Sequence, residues 1–294
     1  MLRMGRKTKT NLVAYLFIAP NFICVIFFML LPILFAGFIS FFHWNYAQGF
    51  GSWEFVGLGN FIKMWSDQWF LDSFWNTIIF SFSVVPITII LSIICAELID
   101  KFTYGKRLIR LAVFLPYISN IVAISAVWTM MYSSYGPINE FLKFIGIQNP
   151  PAWLSDYDWS LPAMIIVTVW INVGYNILIY FGGIQAIPHD YYEAAQIDGA
   201  NSVRQFFSVT VPSLRSTTFF LIITDLISTF QVFGQIMVMT KGGPGTSTHV
   251  LSYYIYTTAF NFYDMGYASA ISWVLFAVIL VITLIQWKGQ KRYD

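Results

Sequence analysis

Two groups of polar and charged residues stand out in a chain that is otherwise mostly apolar. The first runs Ile187-Pro188-His189-Asp190-Tyr191-Tyr192-Glu193-Ala194-Ala195-Gln196-Ile197-Asp198-Gly199-Ala200 and on to Pro212. Asp190 precedes a helix-forming stretch and Glu193 follows three residues later, the spacing of a capping box. This predicts a helix over 191–198, ended by Gly199 as a left-handed cap. A second short helix is expected from Ser202 to about Val209, stopped by Pro212. Ala194 and Ala195 offer a small surface on which another protein can pack closely. Tyr191, Tyr192, Phe206 and Phe207 are costly in water and point to a docked partner. The residues alone leave open a plain solvated connector.

The second group is Asp225, Ser228, Thr229, Gln231 and Gln235 in one apolar run, with Asn172, Tyr175 and Asn176 in another. A buried Asp in a membrane helix costs roughly 2.5–3.5 kcal/mol on insertion scales, so such groups face a cavity or a partner. At helical spacing Asp225, Ser228, Thr229 and Gln235 share a broad face, with Gln231 beside it. Asn172 and Asn176 stand four residues apart around Tyr175. Hydrogen bonding to helices of a second subunit accounts for them as well as contact with a solute does.

Catalysis and metal binding find no such support. His43, His189 and His249 fall in different loops without metal-ligand spacing, and no nucleophile, His and acid gather. Gly242-Gly243-Pro244-Gly245 is glycine-rich, but no Lys-Ser/Thr pair follows it and no strand precedes it, so it is not a P-loop. It reads as a turn or as a contact for an external protein. Cys24 and Cys95 lie in apolar runs and read as small buried hydrophobes.

What must position these residues is a set of membrane helices. Of 294 residues, 57% are hydrophobic and 10% charged, against about 25% charged in soluble domains. Six stretches reach the roughly 20 apolar residues of a span: about 13–41, 74–98, 108–132, 161–184, 216–240 and 267–287. Helix is the form that satisfies each backbone in lipid. The first run, Leu12 to Phe42, is too long for a signal-peptide core and lacks a small-residue cleavage site, which predicts an uncleaved span. Thirteen of the sixteen Lys and Arg residues fall in the N-terminal tail, the 2–3 loop, the 4–5 loop and the C-terminal tail; Lys63, Lys143 and Lys241 are the others. That alternation predicts six spans with both termini in the cytoplasm. On the outer side, Trp44, Trp53, Trp65 and Trp69 are expected as an aromatic belt. Gly136–Ile145 is expected as a short amphipathic helix at the interface, ended at Gly146.

Glu193, Ala194, Ala195, Asp198, Gly199, Ala200, Phe206, Val209 and Pro212 match, at the right distances, the EAA loop of bacterial ABC importer permeases. Ser216 stands where a second Pro is frequent. The resemblance is nearly chain-long: Leu16 to Pro20, Gly57-Leu58-Gly59-Asn60-Phe61, Asn76-Thr77, Gly183 to Pro188, Phe230-Gln231-Val232-Phe233, Thr240 to Gly245 and Gly266 to Ala270. It is similar to the carbohydrate-uptake branch, in the permease of each pair that carries the Gly-Gly-Pro loop. The resemblance implies an all-α integral membrane protein with the type I ABC importer permease fold. It divides the chain into a tail at 1–10, the first span and outer loop at 11–73, a permease core at 74–288 with its coupling loop at 187–215, and a tail at 289–294. It further implies a bacterial plasma membrane location and four kinds of partner: a second permease, a dimer of ATPases carrying ATP and Mg, an extracytoplasmic binding protein and a sugar. No cofactor in this chain and no nucleic acid are expected. Glu193 would be the charged contact with the ATPase. Asp198 and Gly199 would shape the turn. Asn172, Tyr175, Asn176, Asp225, Thr229, Phe230, Gln231 and Gln235 would meet sugar hydroxyls or rings, with Phe233 a further stacking surface. An ion-coupled secondary sugar carrier is the competing reading; it needs internal repeats or a titrating coupling group such as Asp225.

Overall fold

The structure, a computed structural model, describes residues 6–49, 51–101 and 105–290. Arg3, Lys291 and Arg292 of the charge pattern lie outside the described residues.

In chain order, α1 (Arg6–Val25) passes through a π turn (Ile26–Leu30) into α2 (Leu31–Ile39). Strands β1 (Phe42–His43) and β2 (Glu54–Phe55) follow, then α3 (Gly59–Lys63), α4 (Gln68–Lys101), α5 (Lys106–Ile118), α6 (Ile121–Met131), α7 (Pro137–Phe144) and α8 (Tyr157–Gln185). The 187–215 loop holds α9 (His189–Ile197), α10 (Ser202–Gln205), a π turn (Phe206–Thr210) and α11 (Val211–Ser213). The chain continues as α12 (Arg215–Phe230), α13 (Gly234–Met239), α14 (Leu251–Tyr256) and α15 (Met265–Gln290).

Among the described residues, five stretches are long and apolar enough to cross a membrane: Ala14–Ile39, Gln68–Lys101, Tyr157–Gln185, Arg215–Met239 and Met265–Gly289. The predicted third span, 108–132, is not one helix. α5 and α6 meet at 98°. Pro116 has no N–H to continue the helical ladder. Ser119 and Asn120 are extended, and the Asn120 side chain accepts from Val122 N (2.8 Å) and Ala123 N (3.4 Å), capping a new helix. The fifth predicted span, 216–240, is also interrupted: α12 ends at Phe230 and α13 starts at Gly234.

The described chain packs as two units. One contains the residues up to Ser66 with Ile255–Val274. Its first part adds a short ribbon to the helical architecture: β1 and β2 pair antiparallel, Phe42 opposite Phe55 and His43 opposite Glu54. Trp53 packs among Phe35, Phe38, Phe42 and Trp44, 5.0 Å from the Trp44 ring. The Asn60 amide donates to Ser40 O and Phe42 O, both at 2.9 Å. Of the four tryptophans expected as a belt, Trp44 is buried in protein and Trp53 half-buried, while Trp65 and Trp69 are exposed. Cys24, expected to be buried, is exposed on α1, and Cys95 is half-buried.

The second unit, Asp67–Tyr254 with the residues from Leu275, holds the polar sites. Its spine is α4 against α8. Ser73, Thr77, Ser81, Thr88, Ser92 and Ala96 recur on α4 at intervals of four or seven and are fully buried. Small side chains on one helical stripe let backbones approach where lipid removes the hydrophobic drive to associate. Ser92 Oγ donates across to Val173 O on α8 at 3.3 Å. On the opposite face of α4, Ile79, Phe82, Ile90 and Leu98 are exposed, as suits a lipid-facing or subunit-facing surface. The predicted helix over 136–145 is present as α7, with Gly136 before Pro137 and Gly146 left-handed (φ 101°) beyond its end.

Candidate functional site

The 187–215 loop is built from local rules, with two corrections. Pro188 takes the N-cap position of α9, so the helix starts at His189 and Asp190 falls inside the first turn. The expected capping box from Asp190 to Glu193 does not form. Asp190 there favours the positive helix end instead, and Glu193 lies 3.7 Å from His189 Nδ1. The C-terminal end is as predicted. Ala200 N reaches Ala195 O at 2.8 Å, Gly199 N reaches Gln196 O at 2.9 Å, and Gly199 is left-handed (φ 76°). Asn201 then caps α10, accepting from Arg204 N at 2.9 Å.

Pro212 does not stop the second helix. The π turn at Phe206–Thr210 widens the helix so that Val211 N bonds Phe206 O five residues back, and helix resumes over Val211–Ser213. The wider turn receives the proline that an α-helix would exclude.

The face of the loop also differs from expectation. Tyr191 and Phe207 are exposed as predicted, but Tyr192 and Phe206 are turned inward. Phe206 packs against a core of Ile93, Ala96, Ile177, Tyr180, Phe181 and Leu214. Tyr192 Oη meets Thr210 Oγ1 at 2.9 Å. Ile197, 87% exposed, and Val203, 65% exposed, join Tyr191 and Phe207 in an outward apolar set that sequence reasoning missed. Glu193, Ala194, Asp198 and Gly199 are exposed, while Ala195, Ala200 and Pro212 are half-buried.

The second group divides into two. Asn176 Nδ2 donates to Asp225 Oδ2 at 2.5 Å, joining α8 to α12 inside this chain; the two residues are 0% and 5% exposed. Thr229 and Phe230 are buried beside them. Gln235, also buried, accepts from Thr168 Oγ1 at 3.2 Å. Ser228 and Gln231 are exposed, and Asn172 and Tyr175 are half-buried. The single broad face expected over 225–235 does not exist, because the break at 231–233 takes Gln235 out of register. Residues 225 and 229 turn inward, Asp225 onto α8, and 228 and 231 turn outward. Tyr175 stacks on Tyr117 (4.7 Å, 17°), which stacks on Phe114 (5.8 Å). Phe233 stacks instead on Tyr253 (6.3 Å). Tyr117 was not singled out in the sequence; its place beside the Pro116 break was the available signal.

Asp225→Leu is expected to destabilise the purified protein by about 1–3 kcal/mol, because it leaves the buried Asn176 amide without its acceptor. Asp225→Asn keeps an oxygen there and is expected to stay near wild type. Thermal unfolding in detergent separates the two; equal melting temperatures for both variants would contradict the pairing.

The Gly-Gly-Pro segment is anchored at the start of α4. Thr248 Oγ1 donates to Gly243 O (2.8 Å), Thr246 Oγ1 to Asp72 Oδ2 (2.7 Å), and Asn76 Nδ2 to Thr246 O and His249 O (2.7 and 3.0 Å). Leu251 N donates to Thr77 Oγ1 at 2.8 Å. Burial pushes the His249 imidazole down to about 4, Asp72 opposing the shift, so the ring between Trp69 and Tyr253 is neutral at physiological pH.

Comparison with known proteins gives the same reading at the level of sequence and fold. The chain is 35% identical to the lactose transport system permease protein LacF of Rhizobium radiobacter, covering 99% of this chain and 98% of that protein. It is 33% identical to the probable ABC transporter permease protein YesP of Bacillus subtilis (97% and 92% covered). It is 32% identical to the sn-glycerol-3-phosphate transport system permease protein UgpA of Escherichia coli (97% of each). A chain of a bacterial ABC transporter involved in the import of the acidic polysaccharide alginate shares the fold, with TM-score 0.84, 24% identity and 98% of both chains covered. Residues 56–287, which hold the loop, the paired amide and carboxylate and the anchored Gly-Gly-Pro segment, match one family over most of the chain, and the protein is a multi-pass membrane member of it: a binding-protein-dependent transport system inner membrane component.

Proposed function

We propose that this chain is one permease of an ATP-driven sugar importer in a bacterial plasma membrane. The observation that carries the reading is the outward apolar set Tyr191, Ile197, Val203 and Phe207 on a loop with the EAA spacing, in a chain of this family. A permease has no ATP chemistry of its own. The partner that fits is a cytoplasmic ATPase, holding ATP and Mg, in whose cleft α9 sits with Glu193 as the charged contact and Ala194 and Ala195 allowing close approach. A dimer of such ATPases serves this chain and a second permease.

In this reading α5 and α6 count as one bent span, giving six, and the distribution of Lys and Arg puts both termini and the 187–215 loop in the cytoplasm. The Gly-Gly-Pro segment then faces the extracytoplasmic binding protein that delivers the solute. Ser228, Gln231, Asn172, Tyr175 and Tyr117 offer hydroxyls, amides and ring faces to a sugar. Asp225, Asn176, Thr229, Phe230 and Gln235 hold the helices that carry them. The relatives named for lactose and glycerol 3-phosphate support a saccharide or polyol-type solute. ATP binding closes the ATPase dimer, and its different affinity for the two arrangements of the loops moves the pathway from inward-facing to outward-facing.

Uptake of radiolabelled sugar into proteoliposomes tests this. Uptake is expected only with both permeases, the ATPase, the loaded binding protein and ATP. Uptake by this chain alone on a proton or sodium gradient would overturn it in favour of a secondary carrier.

A further inference from the structure

We infer that Tyr192, Thr210 and Glu97 form a hydrogen-bonded linkage that ties the coupling helix α9 to the end of α4, making Thr210 a positioning residue for energy coupling. The inference rests on the reading of α9 as the ATPase contact.

Three attachments hold α9. Pro188 joins it to α8, and the left-handed Gly199 joins it to α10. The third is lateral. Tyr192 Oη lies 2.9 Å from Thr210 Oγ1, and Thr210 Oγ1 donates to Glu97 Oε2 at 3.4 Å. Glu97 Oε1 is held by Lys101 Nζ at 2.9 Å. Thr210 has one hydroxyl proton and gives it to the carboxylate, so the Tyr192 hydroxyl is the donor to Thr210. Burial pushes the Tyr192 phenol up, which keeps that proton in place. Thr210 is fully buried and Glu97 only 9% exposed, so little water reaches the Thr210 hydroxyl at the centre of the chain of bonds.

The surroundings make this link mechanically useful. A cavity of about 640 Å³, lined in part by Glu97, Lys101, Gln185, Tyr192, Gln196 and Gln205, lies beneath α9. Apolar packing does not fill that space, so α9 has room to tilt about Pro188 and Gly199. The bonded chain at the cavity wall converts such a tilt into a pull on α4, whose small-residue stripe locks it to α8. Without Thr210 Oγ1, α9 tilts and α4 stays. Elements that have two arrangements, and whose balance both ends bias, carry coupling of this kind.

The test uses the complete importer in proteoliposomes and reads sugar transported per ATP hydrolysed, a ratio that the amount of folded protein does not change. Thr210→Val is expected to lower the ratio about fivefold, the effect of losing one such bond, while the ATPase still copurifies. Thr210→Ser is expected to restore it. Tyr192→Phe combined with Thr210→Val is expected to do no more than Thr210→Val alone, because both break one chain. An unchanged ratio in Thr210→Val, or strictly additive losses, overturns the linkage and leaves the importer reading intact. A wild-type chain that retains no ATPase overturns the importer reading, and the linkage with it.

Discussion

A chain carrying Gly174→Val is expected not to accumulate as folded protein, even though Val is an apolar residue placed in an apolar helix. A Cβ at residue 174 would lie 2.0 Å from Val113 O, 2.9 Å from Val113 C and 3.2 Å from Phe114 Cα. All three are backbone atoms of α5, so no rotamer change relieves the clash. α5 must move away from α8, and with it the Tyr117–Tyr175 stack and the bend that directs α6. Overpacking that side chains can absorb costs about 1–3 kcal/mol. A clash with backbone exceeds that and takes up much of a total stability of about 5–15 kcal/mol. Gly182→Ala, on the same helix, meets nothing within 4 Å and is expected to gain up to about 1 kcal/mol from helix propensity. Size-exclusion profiles and melting temperatures of fluorescently tagged variants check both; a Gly174→Val protein with a normal profile and melting temperature would refute the close approach of α5 and α8.

The spans were legible because lipid enforces a simple rule of length and apolarity: five long apolar stretches fall on five of the six expected positions, and the bent pair α5 and α6 falls on the other. The bend in the third was written in Pro116 and Asn120, a helix stop followed by a cap, but a continuous apolar run masked it. The break at 231–233 has no proline to announce it. The ribbon of β1 and β2 is two residues long on each side, too short for any alternation to register. It depends on Trp53 packing among residues 9 to 18 positions earlier, which periodicity does not encode.

In the 187–215 loop the features set by neighbouring residues were readable: Gly199, the two helices and the exposed Phe207. The features set by contact were not. Whether Tyr192 or Ile197 faces outward depends on how α9 is rotated against the core, and the Thr210 hydroxyl decides that for Tyr192. Asp225 was recognisable as a residue in need of a partner. Asn176, 49 positions away, was recognisable only as another such residue. Their pairing shows that each satisfies the other inside this chain.

Phe207→Asp is expected to weaken ATPase docking about a hundredfold without harming the fold. Phe207 is 66% exposed, and its neighbour Phe206, in edge contact at 5.1 Å, is the one anchored in the core. An aromatic side chain buries about 150–250 Å² when fully covered. At about 25 cal/mol/Å², covering the exposed two-thirds of Phe207 is worth about 2.5–4 kcal/mol, before the cost of ordering the interface. An Asp there adds the cost of desolvating a charge. Ile197→Asp, at the other end of the apolar set, is expected to act in the same direction, since contact energy concentrates in a few central residues. Phe206→Ala is the contrasting variant: it is expected to lower the melting temperature of the permease itself, through a cavity beside Leu214. Titration of labelled ATPase onto nanodisc-embedded importer, alongside thermal unfolding of each permease variant, separates a docking residue from a core residue. An ATPase that binds the Phe207→Asp complex as tightly as wild type would move the docking surface away from this face of the loop.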